Sequence, residues 1–152
     1  VRAVKKASAL PVIAKLSPNV TNIAEIARAA EGAGADGLAL INTLAAMVID
    51  TTARKPLLGN LCGGLSGPAI RPVAVKMVYD AARAVKIPII GMGGIMTAND
   101  ALEFLMAGAA MIAVGTANFV NPEAPFEILD GIKKYMADNN IKDVNELIDC
   151  AL

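Results

Sequence analysis

Two short apolar runs late in the chain each end in glycine and lead straight into a helical pattern. One reads Pro88-Ile89-Ile90-Gly91-Met92-Gly93-Gly94-Ile95, the other Met111-Ile112-Ala113-Val114-Gly115-Thr116-Ala117-Asn118. Near-continuous apolar character predicts parallel strands buried on both faces, because alternation is lost where neither face meets water. Glycine at a strand end lets bare backbone approach a ligand. Free N–H groups at a helix start can hold a phosphate.

The same rhythm runs through the whole sequence. Strands are predicted over Pro11–Leu16, Gly37–Ile41, Pro88–Met92 and Met111–Val114. Helices are predicted over Ile23–Ala33, Ala69–Val85, Ala98–Met106 and Pro125–Asn139, with a short last helix over Val144–Cys150 capped by Asp143. Residues 1–8 read as the end of an earlier helix, with Lys5 and Lys6 on its exposed end. This is an α/β pattern with right-handed crossovers expected. Two glycine-ended strands in succession match the phosphate site after the last two strands of a (β/α)8 TIM barrel. One segment breaks the rhythm. Asn42–Pro68 is too long for an ordinary strand-to-helix loop, and long insertions at strand C-terminal ends are where barrels place ligand-binding elements.

A complete (β/α)8 barrel takes about 250 residues, and this chain has 152 and starts at Val1. Both features suggest part of a longer protein, and a processed terminus explains the first residue equally well. Formal net charge is zero, which lacks the basic footprint of a nucleic-acid binder. The apolar runs fall short of the roughly 18 residues that span a membrane. Pro11 and Lys15 interrupt the first of them before it resembles a signal sequence. Histidine is absent and the two cysteines, Cys62 and Cys150, form no CxxC pair. That speaks against a zinc site and excludes a Ser-His or Cys-His nucleophile within the chain. Two cysteines suit a reduced cytoplasmic protein.

Several residues carry candidate chemistry. Gly93, Gly94, Gly115 and Thr116 offer backbone donors and one hydroxyl to a phosphate; alternatively the glycines only permit tight turns. Lys15, at a strand tip, stabilises a developing anion or forms a Schiff base, or else is a surface lysine. Asn42 and Thr43 suit a planar ligand with carboxylate and carbonyl groups, or a plain turn. Gly63, Gly64 and Gly67 precede Pro68, an early helix position. Gly67 brings bare backbone to a ligand, or the run is a flexible hinge. Cys62, with no histidine to activate it, reads as a bystander. Met92, Met106 and Met111 read as core filler.

Taken in order, Lys15-Leu16-Ser17-Pro18-Asn19-Val20-Thr21, Ile41-Asn42-Thr43, Gly63-Gly64-Leu65-Ser66-Gly67-Pro68-Ala69-Ile70, Gly91-Met92-Gly93-Gly94-Ile95 and Val114-Gly115-Thr116-Ala117-Asn118-Phe119 closely resemble the dihydroorotate dehydrogenase family. Ile49-Asp50, Arg54-Lys55-Pro56 and the Gly63–Ile70 run look like its class 1B catalytic subunits. The resemblance covers essentially the whole chain. It implies that residues 1–152 are the C-terminal half, strands five to eight, of an FMN-carrying (β/α)8 barrel. It implies FMN contacts from Lys15, Ile41, Gly67, Gly93, Gly94, Gly115 and Thr116, and orotate contacts from Asn42 and Thr43. In that family a base removes the C5 proton of dihydroorotate while hydride passes from C6 to flavin N5. The resemblance implies that Lys15 sits near the flavin's pyrimidine edge and stabilises the reduced anion. Class 1B enzymes pass electrons to NAD⁺ through a partner subunit holding FAD and an iron–sulfur cluster, and a homodimer is expected.

Two departures follow from the same resemblance. The family's base is a cysteine on a loop after the fourth strand, and neither Cys62 nor Cys150 stands at a matching position. Val48 stands where relatives often carry a basic residue. The resemblance therefore implies an enzyme for the complete protein and an inactive segment on its own. Three other readings stay open: a dihydropyrimidine dehydrogenase-type domain, a non-catalytic half-barrel that binds phosphate ligands, and a Schiff-base aldolase using Lys15.

Overall fold

Four strands pair side by side, all parallel, in the order β1 (Ile13–Lys15), β2 (Gly37–Leu40), β7 (Ile89–Met92) and β8 (Met111–Ala113). The computed structural model describes residues 1–151. Each parallel step requires a crossover, and helices supply it. Helix α1 (Arg2–Ala7) precedes β1, and α2 (Ile23–Gly32) joins β1 to β2. Helix α3 (Arg71–Ala82) leads into β7, and α4 (Ala98–Met106) joins β7 to β8. A one-turn helix α5 (Ala117–Val120) and the long α6 (Ala124–Asp138) follow. The four predicted strands and four main helices are present, most of them one to three residues shorter than the sequence pattern suggested.

Register decides which side chains share a face. Ile13 pairs with Gly37, Ala39 with Ile90 and Ile90 with Met111. One face therefore carries Ile13, Lys15, Ala39, Ile90, Met92, Met111 and Ala113. The other carries Leu38, Leu40, Ile89 and Gly91, and it is the one packed by helices: Leu38, Leu40, Ala74, Val78, Ala101 and Phe104 are all fully buried. The expectation that all four strands are buried on both faces holds only for β2. Ile13 is 50% and Met111 52% exposed, because they lie on the two outer strands, on the face away from the helices.

Local chemistry sets the helix boundaries. Asn22 caps α2 by accepting from the N–H groups of Ala24 and Glu25. Thr97 and Asp100 form a reciprocal capping box on α4. The predicted helix over Ala69–Val85 is split. Pro68–Ile70 forms a 3-10 turn and α3 begins at Arg71, with Pro72 in its first turn, where a missing N–H costs nothing. Asp143 does cap the last element, but that element is only a 3-10 turn, Val144–Glu146. The chain beyond it is held from outside, by Asp149 N–H donating to Leu105 and by the Arg83–Asp149 ion pair. Lys5 is not simply exposed. It bonds Asp36, and that bond, with the Val12 N–H, holds the Asp36 carboxyl below its usual value.

The long segment after β2 is not a featureless loop. It folds into two antiparallel ribbons, β3 (Leu44–Ala46) with β6 (Gly63–Leu65), and β4 (Ile49–Asp50) with β5 (Lys55–Pro56). Asp50 closes the inner turn by accepting from Thr52 and Ala53 N–H groups, both at 2.9 Å.

Gly91 is the tightest point of the helix-packed face. A Cβ there would lie 2.7 Å from a ring carbon of Phe104 and 3.0 Å from the Ala109 methyl. Gly91→Ala is expected to cost about 1–3 kcal/mol by overpacking. In urea unfolding its midpoint falls while the slope stays as in the wild type. An unchanged midpoint would mean that the sheet–α4 contact is loose.

Candidate functional site

Because the four strands are parallel, their C-terminal ends lie along one edge of the sheet. Backbone bonds hold them level beyond the strands themselves: Ile41 N–H donates to Met92 at 2.9 Å and Asn42 N–H to Leu16 at 3.1 Å. Above this edge lies a cavity of about 370 Å³. Lys15, Ile41, Asn42, Thr43, Gly67, Gly93, Gly94, Gly115 and Thr116 all line it. The structure thus brings together the nine residues expected to contact cofactor or substrate, from five separate stretches of chain, while Gly63 and Gly64 do not line the cavity. Cys62 and Cys150 are exposed and do not line it. Val48 lies exposed on the ribbons, its carbonyl accepting from Leu57.

The glycines of the β7 turn are required there. Gly93 has φ 132° and Gly94 φ 78°, values that side-chain-bearing residues rarely adopt. A Cβ on Gly94 would also sit 2.7 Å from the Gly67 carbonyl oxygen. Gly67, with φ 88°, brings the segment before α3 against this turn. Gly115 differs: a Cβ there would meet nothing within 4 Å. Its turn is held instead by Asn118, whose amide donates to the carbonyls of Val114 and Gly115 at 2.8 and 2.9 Å.

Two of the expected backbone donors, Gly94 and Thr116, carry N–H groups that no other part of the described chain engages. At the α4 start the capping box engages the N–H groups of Thr97 and Asp100. The available N–H groups lie in the turns themselves. Among the described residues, those of Gly94, Ile95 and Thr116 make no hydrogen bond within the chain. All three residues line the cavity, and successive unpaired backbone N–H groups can form an anion-binding concavity.

Sequence reasoning missed two side chains. Ser66 lines the cavity and accepts a hydrogen bond from the Thr116 hydroxyl at 2.9 Å, joining the ribbon segment to the β8 turn. Its position in Leu65-Ser66-Gly67 was the available signal. Asn19 fixes the other rim, its amide donating to the Thr43 carbonyl at 3.1 Å and accepting from Ala45 N–H at 2.8 Å. Gly64 backs Thr43 from the ribbon, where a Cβ would overlap the Thr43 hydroxyl. Gly63 and Gly64 are therefore part of strand β6, not a flexible hinge.

Chemically, the cavity lining combines backbone N–H donors with charged and polar side chains. Lys15 supplies a cation that, among the described residues, forms no ion pair. Asn42 and Thr43 supply an amide and a hydroxyl, and Ile41, Ile70 and Met92 apolar lining. Among the described residues no cluster of three metal-ligating side chains occurs.

A model of the family described as dihydroorotate dehydrogenase matches residues 1–136. The chain is 64% identical over 150 residues to the dihydroorotate dehydrogenase B (NAD(+)) catalytic subunit of Desulforamulus reducens. It is 61% identical over 151 residues to the protein of the same name from Desulforudis audaxviator. In each case 99% of this chain is covered and 49% of the relative, so the chain spans about half the length of the curated relatives it matches. The chain belongs to the dihydroorotate dehydrogenase family.

Proposed function

We propose that this chain is the C-terminal half, strands five to eight, of a (β/α)8 barrel that oxidises dihydroorotate to orotate in pyrimidine biosynthesis. The observation that carries the reading is the single cavity in which unpaired N–H groups, a lysine and an amide–hydroxyl pair meet, in a chain of this family. The open sheet face and its exposed outer strands support the barrel. Residues such as Ile13 and Met111 belong to an interior that further strands close. On this reading residues 1–152 are one part of a single domain.

The residues fit FMN. The N–H groups of Gly94, Ile95 and Thr116 suit its phosphate, and Gly67 and Gly93 leave room for close approach. Ile41 and Lys15 line the space left for a ring. When bound, FMN supplies the hydride acceptor. The chain's own residues do the rest by position and charge. Lys15 would hold a positive charge beside the space for the ring and would favour an anionic ligand there, an effect that strengthens as water is excluded. Asn42 and Thr43 orient the substrate through its carboxylate and carbonyl groups. The group that takes the substrate proton belongs to the other half, in keeping with the position of both cysteines away from the cavity.

The relatives are named as NAD(+)-linked catalytic subunits. We extend this to a homodimer that hands electrons to a second subunit carrying FAD and an iron–sulfur cluster, in the cytoplasm. Among the described residues no helix is long and apolar enough to cross a membrane, and the neutral net charge offers nothing to nucleic acid.

The full-length protein is expected to purify yellow and to lose its flavin colour when dihydroorotate is added without oxygen. A folded full-length protein with no flavin absorbance would remove the reading. Lys15→Ala in that protein is expected to slow flavin reduction about 10²–10³-fold, the scale of losing one preorganised charge, with a smaller change in substrate binding. Unchanged single-turnover reduction with a raised KM would reassign Lys15 to plain binding. The isolated segment is expected to self-associate through its open strand edges and to bind FMN weakly. Light scattering and FMN titration check both, and a monomer with sub-micromolar FMN affinity would contradict them.

A further inference from the structure

We propose that Asp100, locked to Arg71, is the positioning residue that holds the β7 glycine turn in its ligand-binding shape; this rests on the FMN reading above. Neither residue lines the cavity. Asp100 is 5% exposed and stands in the first turn of α4. A capping box asks only that its carboxylate accept the Thr97 N–H. Here the carboxylate does more. One oxygen accepts the N–H groups of both Met96 and Thr97, each at 2.9 Å. The other accepts from the Arg71 guanidinium.

Those extra contacts reach the two glycine turns. Met96 lies two residues beyond Gly94, on the stretch that carries the unpaired N–H groups of Gly94 and Ile95. Arg71 opens α3, just past Gly67. The turns also touch at this point, because a Cβ on Gly94 would lie 2.9 Å from both the Arg71 backbone nitrogen and its Cβ. Asp100 and Arg71 therefore close a ring through Gly67 and Gly93-Gly94. Glycine at positive φ gives these turns their shape and leaves them free to change it. A ligand that must first order such a turn binds more weakly, so a fixed tie outside the cavity raises affinity without touching the ligand.

The arrangement is more than a helix cap requires. Burying a carboxylate and part of a guanidinium is weak as a stabilising device. The Arg71 Nε is itself buried without a hydrogen bond, although Glu103 lies 3.4 Å from it. A cap made by an exposed carboxylate has neither cost.

The test compares FMN with riboflavin, which lacks the phosphate, on the full-length apoprotein by fluorescence quenching. Asp100→Asn keeps the side chain's shape but removes the charge that Arg71 pairs with. It is expected to weaken FMN binding about tenfold more than riboflavin binding, the scale of one charged hydrogen bond. Arg71→Met is expected to give the same loss of preference, and the double variant no more than either alone. Thr97→Ala, which removes the cap hydroxyl only, is expected to lower Tm and leave the FMN-to-riboflavin ratio as in the wild type. If Asp100→Asn does not fold, Arg71→Met decides. A wild-type ratio in both variants, with Tm alone reduced, would make Asp100 a cap and overturn the inference while FMN binding itself stands. A wild-type protein that takes up neither flavin would overturn the inference and the FMN reading together.

Discussion

Parallel pairing of β1, β2, β7 and β8 is the constraint on which everything else here depends. It sends every strand C-terminus to the same edge of the sheet, and it forces a helix or a longer excursion into each return. The turns after β7 and β8 then fall next to each other, and the segment before α3 folds back over them. Nothing in the side chains of Gly93, Gly94 or Gly115 attracts them to one place. The ladder between β7 and β8, with Gly91 beside Ile112 and Met92 beside Ala113, puts them there.

The same pairing explains the uneven burial. Helices α2, α3 and α4 cover the face of Leu38, Leu40 and Ile89, while the opposite face is partly open. Gly91 lets Phe104 press against the sheet, and Gly94 lets the β7 turn press against the start of α3. One glycine serves packing and the other serves the cavity, although they stand three residues apart. The open face and the cavity are parts of one surface, which is why the half-barrel reading and the cofactor reading stand or fall close together.

Much of this was legible in the sequence, and the reasons differ by residue. The four strands showed as short, nearly unbroken apolar runs, although only β2 is buried on both faces, and the nine expected contact residues showed because they sit at strand ends or beside glycines. The ribbons did not show. Their strands are two or three residues long, as in Lys55–Pro56, too short for any period to register. Ser66 and Asn19 were hidden because each acts across a long sequence gap, Ser66 on Thr116 and Asn19 on Ala45. The capping box of Thr97 and Asp100 was readable by its spacing, and it occupies two N–H groups at the α4 start, those of Thr97 and Asp100. Exposure of Ile13 and Met111 could not be read locally, since it depends on which strands end up outermost.

The central claim is that the turns after β7 and β8 enclose a phosphate. Phosphorus NMR of FMN bound to the full-length protein tests it most directly. The account predicts a resonance shifted from that of free FMN and resistant to broadening by added Mn²⁺, because the N–H groups of Gly94, Ile95 and Thr116 surround the phosphate and keep the ion away. A resonance at the free position, broadened by Mn²⁺ as in solution, would mean that the phosphate projects into water and that these glycine turns serve only to shape the chain.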